Sequence, residues 1–399
     1  MDPVRNPYAP GAGQRPPELA GRDEQLRAFD VVLERIARGR PERSIVLTGL
    51  RGVGKTVLLN ALRGQAVRAK WGTGKFEARP DQPIRRPLAA ALHMAVRELA
   101  HPDADAVLGT IRAFVEREAK PGAKISERWN PGITVPAAKG RADSGDIEID
   151  LVELFTDIGG LAADQGVGVA VSIDEMQDLR PDDLSALCAA VHEISQQRLP
   201  LVIVGAGLPH LPAVLSASKS YSERLFRYNR IDRLDRQAAD LALTLPAEDE
   251  EAAFEAEALD AMYELTGGYP YFIQAYGKVV WDLAPASPIT ADDVRVATPE
   301  AEAELAVGFF GSRFERATPA ERDYLRAMAE AASGDDEHPG DDASQVPTAA
   351  VADLLGRKPQ SLSPARDALM KKGLIYATER GKVAFTVPHF GRYLRAQQV

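Results

Sequence analysis

Cysteine occurs once in 399 residues, so no disulfide can form within the chain. The single thiol, Cys188, shares one face of an expected helix with Leu184, Leu187 and Val191, which marks it as core filler rather than nucleophile. A reducing, intracellular setting fits that usage. No apolar run approaches the roughly 18 residues that a membrane-spanning helix needs. The opening "MDPVRNPYAPGAGQRPPELAG" also has no apolar segment of the kind a signal peptide uses, so a cytoplasmic protein without membrane association is expected. Histidine is sparse, with six scattered copies and no Cys/His spacing of a zinc site. Positive charge is in deficit as well. The 48 Lys and Arg against 58 Asp and Glu leave a net charge of −10, which excludes indiscriminate coating of nucleic acid but allows a local basic face.

What is present is a globular composition, 45% hydrophobic and 27% charged, in a chain long enough for two or three cores and without internal repeats. Its most informative stretch is "VLTGLRGVGKTVLLN", residues 46–60. An apolar strand runs into Gly49, Leu50, Arg51, Gly52, Val53, Gly54, Lys55, Thr56 and Val57, the spacing of a phosphate-binding loop. Gly52 and Gly54 have no side chain to hold the backbone away, so successive amides can curl around phosphate at the positive end of the following helix. Lys55 is expected to reach the outer phosphates, and Thr56 to give its hydroxyl to a magnesium ion. Residues 43–49 read as a buried strand and 56–63 as an amphipathic helix, the order this chemistry requires.

A second apolar strand, residues 167–175, ends in Asp174 and Glu175 within "VAVSIDEMQDL". A phosphate-loop enzyme needs carboxylates there: Asp174 for the magnesium shell and Glu175 to orient and polarise the attacking water. A third strand, 199–207, follows a helix. Alternating strands and helices imply an α/β fold with a parallel sheet and a ligand at the carboxyl ends of its strands. The polar stretch 120–148 is long for a compact domain and reads as an insertion.

With those residues in place, the sequence resembles the AAA+ ATPases, in the branch that includes origin-recognition-like proteins and the STAND signalling ATPases. "ELAGRDEQL", residues 18–26, resembles the segment that contacts adenine, which implicates Gly21 and Arg22. "GLRGVGKT" resembles Walker A and "VAVSIDE" Walker B. "TGGYPYFIQAYG", 266–277, resembles the Gly-x-Pro motif of a helical lid, in which Pro270 approaches the base. The resemblance implies a P-loop AAA+ core, an all-α lid and a winged helix, with ATP and Mg2+ as ligands. The expected boundaries are a flexible arm at 1–17, the core at 18–245, the lid at 246–312 and the winged helix at 313–399. Two departures from the family pattern imply slow hydrolysis. The third strand ends in Gly205, Ala206 and Gly207 rather than a polar sensor residue, leaving a neighbour such as His210 for that role, and the lid lacks the second-sensor arginine. "SYSERLFRYNRIDRL" offers Arg224, Arg227 and Arg230, and the resemblance favours Arg224 as an arginine finger supplied to an adjacent subunit, which would require self-association.

Residues 318–399 read as three helices and a hairpin turning at Glu379 to Lys382. From Gly356 onward nine Lys and Arg face two Asp and Glu, the footprint expected of contact with double-stranded DNA, with Arg357, Lys358, Arg366, Lys371, Lys372, Arg380 and Lys382 as candidates. Two functions therefore stand side by side: a nucleotide-dependent AAA+ switch acting on DNA, and a STAND-like scaffold that holds ATP with little hydrolysis and binds a protein partner.

Overall fold

The computed structural model describes residues 1–11, 13–116, 132–332 and 345–397. The first half of the expected insertion and the acidic loop near 333–342 fall largely outside these residues. The chain divides into two compact units, one of residues 22–49 and 55–230, the other of Met1–Gly21, Leu50–Gly54 and Ile231–Val399.

The first unit starts with α1 (Asp23–Ala37), whose Phe29, Val32, Leu33 and Ile36 recur at helical spacing and are buried together. It continues through β1 (Ser44–Thr48), α2 (Lys55–Arg68), β2 (Gly72–Glu77), α3 (Arg85–Leu99), α4 (Ala104–Glu116) and α5 (Ile147–Asp164). Then come β3 (Val169–Asp174), α6 (Pro181–Gln196), β4 (Leu201–Gly207), α7 (Leu211–Ser218), α8 (Ser222–Leu225) and β5 (Phe226–Arg230). The five strands form one parallel sheet in the order β2-β3-β4-β1-β5. Every residue of β1, β3 and β4 is buried. That is why these strands read as unbroken apolar runs: a parallel sheet is covered on both faces by its crossover helices.

Three helices of this unit are tied by one buried ion pair. Arg85 on α3 donates to Asp150 of α5 at 2.6 Å and to the Phe114 carbonyl of α4 at 3.0 Å, with its guanidinium 4.6 Å above the Phe114 ring. Burial pushes the Asp150 carboxyl up, but bonds from Ser144 and Arg85 outweigh this and hold it below the usual range. The described half of the insertion, 132–146, packs here too, with Ile133 and Ala142 buried.

The second unit contains α9 (Arg236–Asp249), α10 (Ala256–Thr266), α11 (Pro270–Leu283), α12 (Ala291–Leu305) and the short α13 (Ser312–Phe314), with a π-helical segment at Ala306–Gly311. After these come α14 (Pro319–Ala331), β6 (Val346–Pro347), α15 (Thr348–Leu354), α16 (Pro359–Lys371), β7 (Ile375–Ala377), β8 (Lys382–Phe385) and α17 (Phe390–Ala396). The last group has the helix and strand order of a winged helix, with a three-stranded sheet in the order β6-β8-β7 and antiparallel pairing. Thr318 and Glu321 start α14 with a capping box, and Glu321 also accepts from Lys372 at 2.6 Å.

The opening residues, expected to be a flexible arm, are instead docked on this unit. Tyr8 is 3% exposed, and its hydroxyl donates to the Leu243 carbonyl at 2.6 Å. Asn6 donates to Asp282 at 2.7 Å, and the Trp281 indole donates to the Asp2 carbonyl at 2.9 Å. The proline and glycine content predicts irregular backbone, but the buried aromatic and the paired side chains secure it.

Candidate functional site

The site is built where β1 gives way to α2. Gly49 extends the ladder by donating to the Gly207 carbonyl of β4 at 3.2 Å, which fixes the loop's entrance. Gly52 and Gly54 then take φ of +85° and +90°, a region that side chains avoid. Nothing lies within 4 Å of where a Cβ on Gly54 would stand. Lys55 is 9% exposed and donates to the Gly49 carbonyl at 2.9 Å, folding its ammonium back across the loop. Thr56 and Val57 follow, half-buried in the first turn. Positive-φ glycines, a lysine turned back across the loop and a helix start fit a triphosphate chain. The Thr56 hydroxyl and the Asp174 carboxylate are the oxygen donors that would hold its magnesium ion, whose charge would offset that of the phosphates.

The carboxylates come from β3, separated from β1 by β4. Asp174 is 7% exposed, and its Oδ1 accepts from the Glu175 amide at 3.0 Å. Glu175 is left-handed at φ 48° and ψ 42°, a strained turn for a non-glycine residue, and it starts the 3-10 turn Met176–Asp178. Gln177 donates to Glu175 Oε2 at 2.6 Å and accepts from the Leu208 amide, beyond the end of β4, at 3.0 Å. Sequence reasoning missed Gln177. The signal that could have found it is the pair of glycines on β4 facing this turn.

The middle of the loop, Leu50–Gly54, groups with the second unit. Gly52 accepts from the Tyr271 amide at 3.2 Å, which places the start of α11, Pro270 included, beside the loop. A Cβ on Gly52 would stand 3.4 Å from Tyr271, whose ring stacks on Phe309 with centroids 4.4 Å apart. The Arg51 amide donates to the Thr386 carbonyl at 2.9 Å, and Arg51 Nε donates to the Gly373 carbonyl at 3.3 Å. Gly21, at φ +67°, is packed so that a Cβ would lie 2.9 Å from Ala238 of α9, while Arg22 is 8% exposed at the start of α1.

Other expected residues lie elsewhere. Arg224 is on α8, before β5, and lines a cavity of about 30 Å³ with Arg40, Arg43 and Arg198 at the amino edge of the sheet. The five residues of β1 separate that edge from Gly49 by roughly 16 Å. Arg230, in contrast, is at the carboxyl edge in register with Thr48. His210 precedes α7, and burial lowers its pKa, favouring neutral imidazole at pH 7. Cys188 is buried and its thiol is pushed up to about 12, which suits core filler. In the C-terminal residues, Lys372 pairs with Glu321, Arg366 with Asp367 and Lys382 with Glu379, and Arg357, Lys358, Lys371 and Arg380 are on the surface. Among the described residues no helix is long and apolar enough to cross a membrane, and no cluster of three His, Cys, Asp or Glu could hold a metal.

Comparison with known proteins places this geometry. The AAA ATPase domain family matches residues 18–204, and a domain of unknown function (DUF8462) matches residues 307–394. No curated protein matches the chain. Among solved structures, a Walker-type ATPase of Pyrococcus abyssi is similar with a TM-score of 0.56 at 17% identity, over 96% of this chain and 97% of that one. The Aeropyrum pernix ORC1 protein in complex with DNA is similar with a TM-score of 0.47 at 15% identity, covering 96% of this chain and 94% of that one. The Thermotoga maritima RuvB Holliday junction branch migration motor is similar at 0.45 and 16% identity, covering 94% and 96%. The phosphate loop and the carboxylate strand two places away both lie within the residues, 18–204, that match the AAA ATPase domain family.

Proposed function

We propose that this protein is an ATP-driven molecular switch in which occupancy of the loop at 49–56 is relayed to the lid and the winged helix. One observation carries the reading. The loop's central residues bond to both: Gly52 to Tyr271 of α11, and Arg51 to Thr386 and Gly373 of the winged helix. A loop that rearranges its backbone around phosphate cannot leave those bonds unaltered. In this reading the amides of Gly52 through Val57 and the Lys55 ammonium stabilise phosphate charge. Glu175 orients the attacking water and accepts its proton. Gly21, Arg22 and Pro270 contact the base. Arg224, at the far edge of the sheet from its own loop, would serve a second copy of the chain, so turnover should rise with protein concentration.

Duplex DNA is the partner favoured for the winged helix, through Arg357, Lys358, Lys371 and Arg380. The second reading, a nucleotide-holding scaffold with a protein partner, draws on a separate observation: Lys372 and Arg392 are engaged with Glu321 and Glu302, so part of the basic surplus is neutralised inside the unit.

Hydrogen exchange tests the switch. Adding ATP and Mg2+ should change exchange at Arg51 and across residues 373–386 in the wild type and not in Lys55→Ala. Unaltered exchange in a protein that demonstrably binds ATP would sink the relay and favour the scaffold. Duplex binding that weakens with salt, and weakens further in Arg357→Ala/Lys358→Ala/Arg380→Ala, would support DNA as the partner.

A further inference from the structure

The end of β4 carries Gly205, Ala206 and Gly207 where the family resemblance leads one to expect a polar side chain facing the catalytic carboxylate. Packing explains the glycines. A Cβ on Gly205 would stand 2.6 Å from the Met176 sulfur, and one on Gly207 would stand 2.5 Å from Gln177 Oε1. A side chain on Gly205 would have to displace the Met176 side chain, and one on Gly207 the Gln177 amide. Into the space above Gly207 comes the Gln177 amide. Its oxygen accepts from the Leu208 amide at 3.0 Å, and its nitrogen donates to Glu175 Oε2 at 2.6 Å, with Asp178 Oδ1 at 3.4 Å. The amide can meet an N–H only with its oxygen, so the Leu208 bond sets the flip and turns the NH2 towards the carboxylate.

We propose that Gln177 is a positioning residue for Glu175. Its amide bridges the carboxylate to the end of β4 and replaces, from the carboxylate turn itself, the polar side chain that the strand lacks. This rests on the reading of Glu175 as the group that orients the attacking water. Glu175 sits in a strained left-handed turn, and the charge-assisted bond from Gln177 helps to hold its carboxylate in the observed orientation. A glycine at 207 leaves space that Gln177 and Leu211 share.

Two measurements decide the matter. In kinetics, Gln177→Leu retains much of the side chain's bulk but loses both bonds. It should lower kcat by about tenfold to a hundredfold, as expected when a reacting group is misplaced by about an ångström, while KM and ATP affinity stay within about threefold. Gly207→Ala, which crowds the same amide, should lower kcat in the same direction. In a Glu175→Gln background, Gln177→Leu should cause no further loss, because the group it positions is gone. Full kcat in a folded Gln177→Leu protein, or an undiminished further loss in that background, would overturn the proposal. The second measurement needs no turnover. In protein labelled with 15N-glutamine, the Gln177 side-chain amide is assigned by its loss in Gln177→Leu, and it should shift on Glu175→Ala. A resonance indifferent to Glu175→Ala overturns the bridge. A shifted resonance in a protein without turnover under any condition would instead leave the bridge standing and remove the hydrolytic reading alone.

Discussion

At the scale of single residues, Lys55 has the most to do. It is nearly buried, and its ammonium rests on a carbonyl of its own loop. An ammonium held next to the loop's amides is placed to form a charge-assisted bond with an anion that binds there. Lys55→Ala should weaken ATP binding by roughly tenfold to a hundredfold, the worth of about 1.5–3 kcal/mol for a charge-assisted bond. Lys55→Arg should not rescue it, since a planar fork does not occupy the same space as a point charge. Titration with a fluorescent ATP analogue checks both. Thermal melting gives a second view: ATP with Mg2+ should raise the Tm of the wild type by mass action and leave that of Lys55→Ala nearly unchanged. Equal affinity in both proteins would remove the loop from nucleotide binding.

At the scale of elements, the joint between α3, α4 and α5 shows what holds the first unit together. Asp150 accepts from Arg85 at 2.6 Å and from the Ser144 amide and hydroxyl at 2.8 and 2.7 Å, with no side-chain surface exposed. Asp150→Ala would leave Arg85 buried without its counter-charge. The expected loss of stability is about 3–5 kcal/mol, larger than that of Arg85→Met/Asp150→Leu, which replaces both partners by apolar groups. Urea unfolding of the three proteins tests that order. Nothing in the sequence announces this joint, because its partners are 65 positions apart. What was legible follows the same physics in reverse. β1 and β3 were visible as apolar runs because both their faces are covered, and the loop was visible because phosphate binding constrains glycine, lysine and threonine at fixed spacing. β5 carries little apolar signal, because two of its five residues are exposed arginines and only Phe226 is fully buried. Tyr8 and Gln177 were missed for a different reason: each owes its place to tertiary contacts that local periodicity does not encode.

At the scale of the whole molecule, the titrating groups dictate how stability responds to acid. Burial lowers the pKa of His93, with Arg97 adding to the effect, and burial also lowers that of His210. The unfolded chain takes up those protons near its ordinary value of about 6.5 while the folded chain resists, so this stability is complete above that pH and is lost as pH falls below it. Asp150 and Glu321 act in a lower window. Burial raises both, but Ser144 and Arg85 for the first, and Lys372 and Thr318 for the second, bring the net shift below the usual range. Their contribution is present above the unfolded value of about 4 and disappears as pH drops through the folded one. Two steps of acid destabilisation should result, one beginning near neutrality and one below about pH 4. The net charge of −10 shrinks over the upper window, which relieves self-repulsion and opposes the first step. A His93→Gln/His210→Gln variant isolates the histidines, because charge relief acts on both proteins alike. The fall in Tm between pH 7.5 and 5.5 should be smaller in the variant, while the carboxylate step at lower pH is common to both proteins. A variant that falls as steeply as the wild type over the upper window would assign the near-neutral step to other groups.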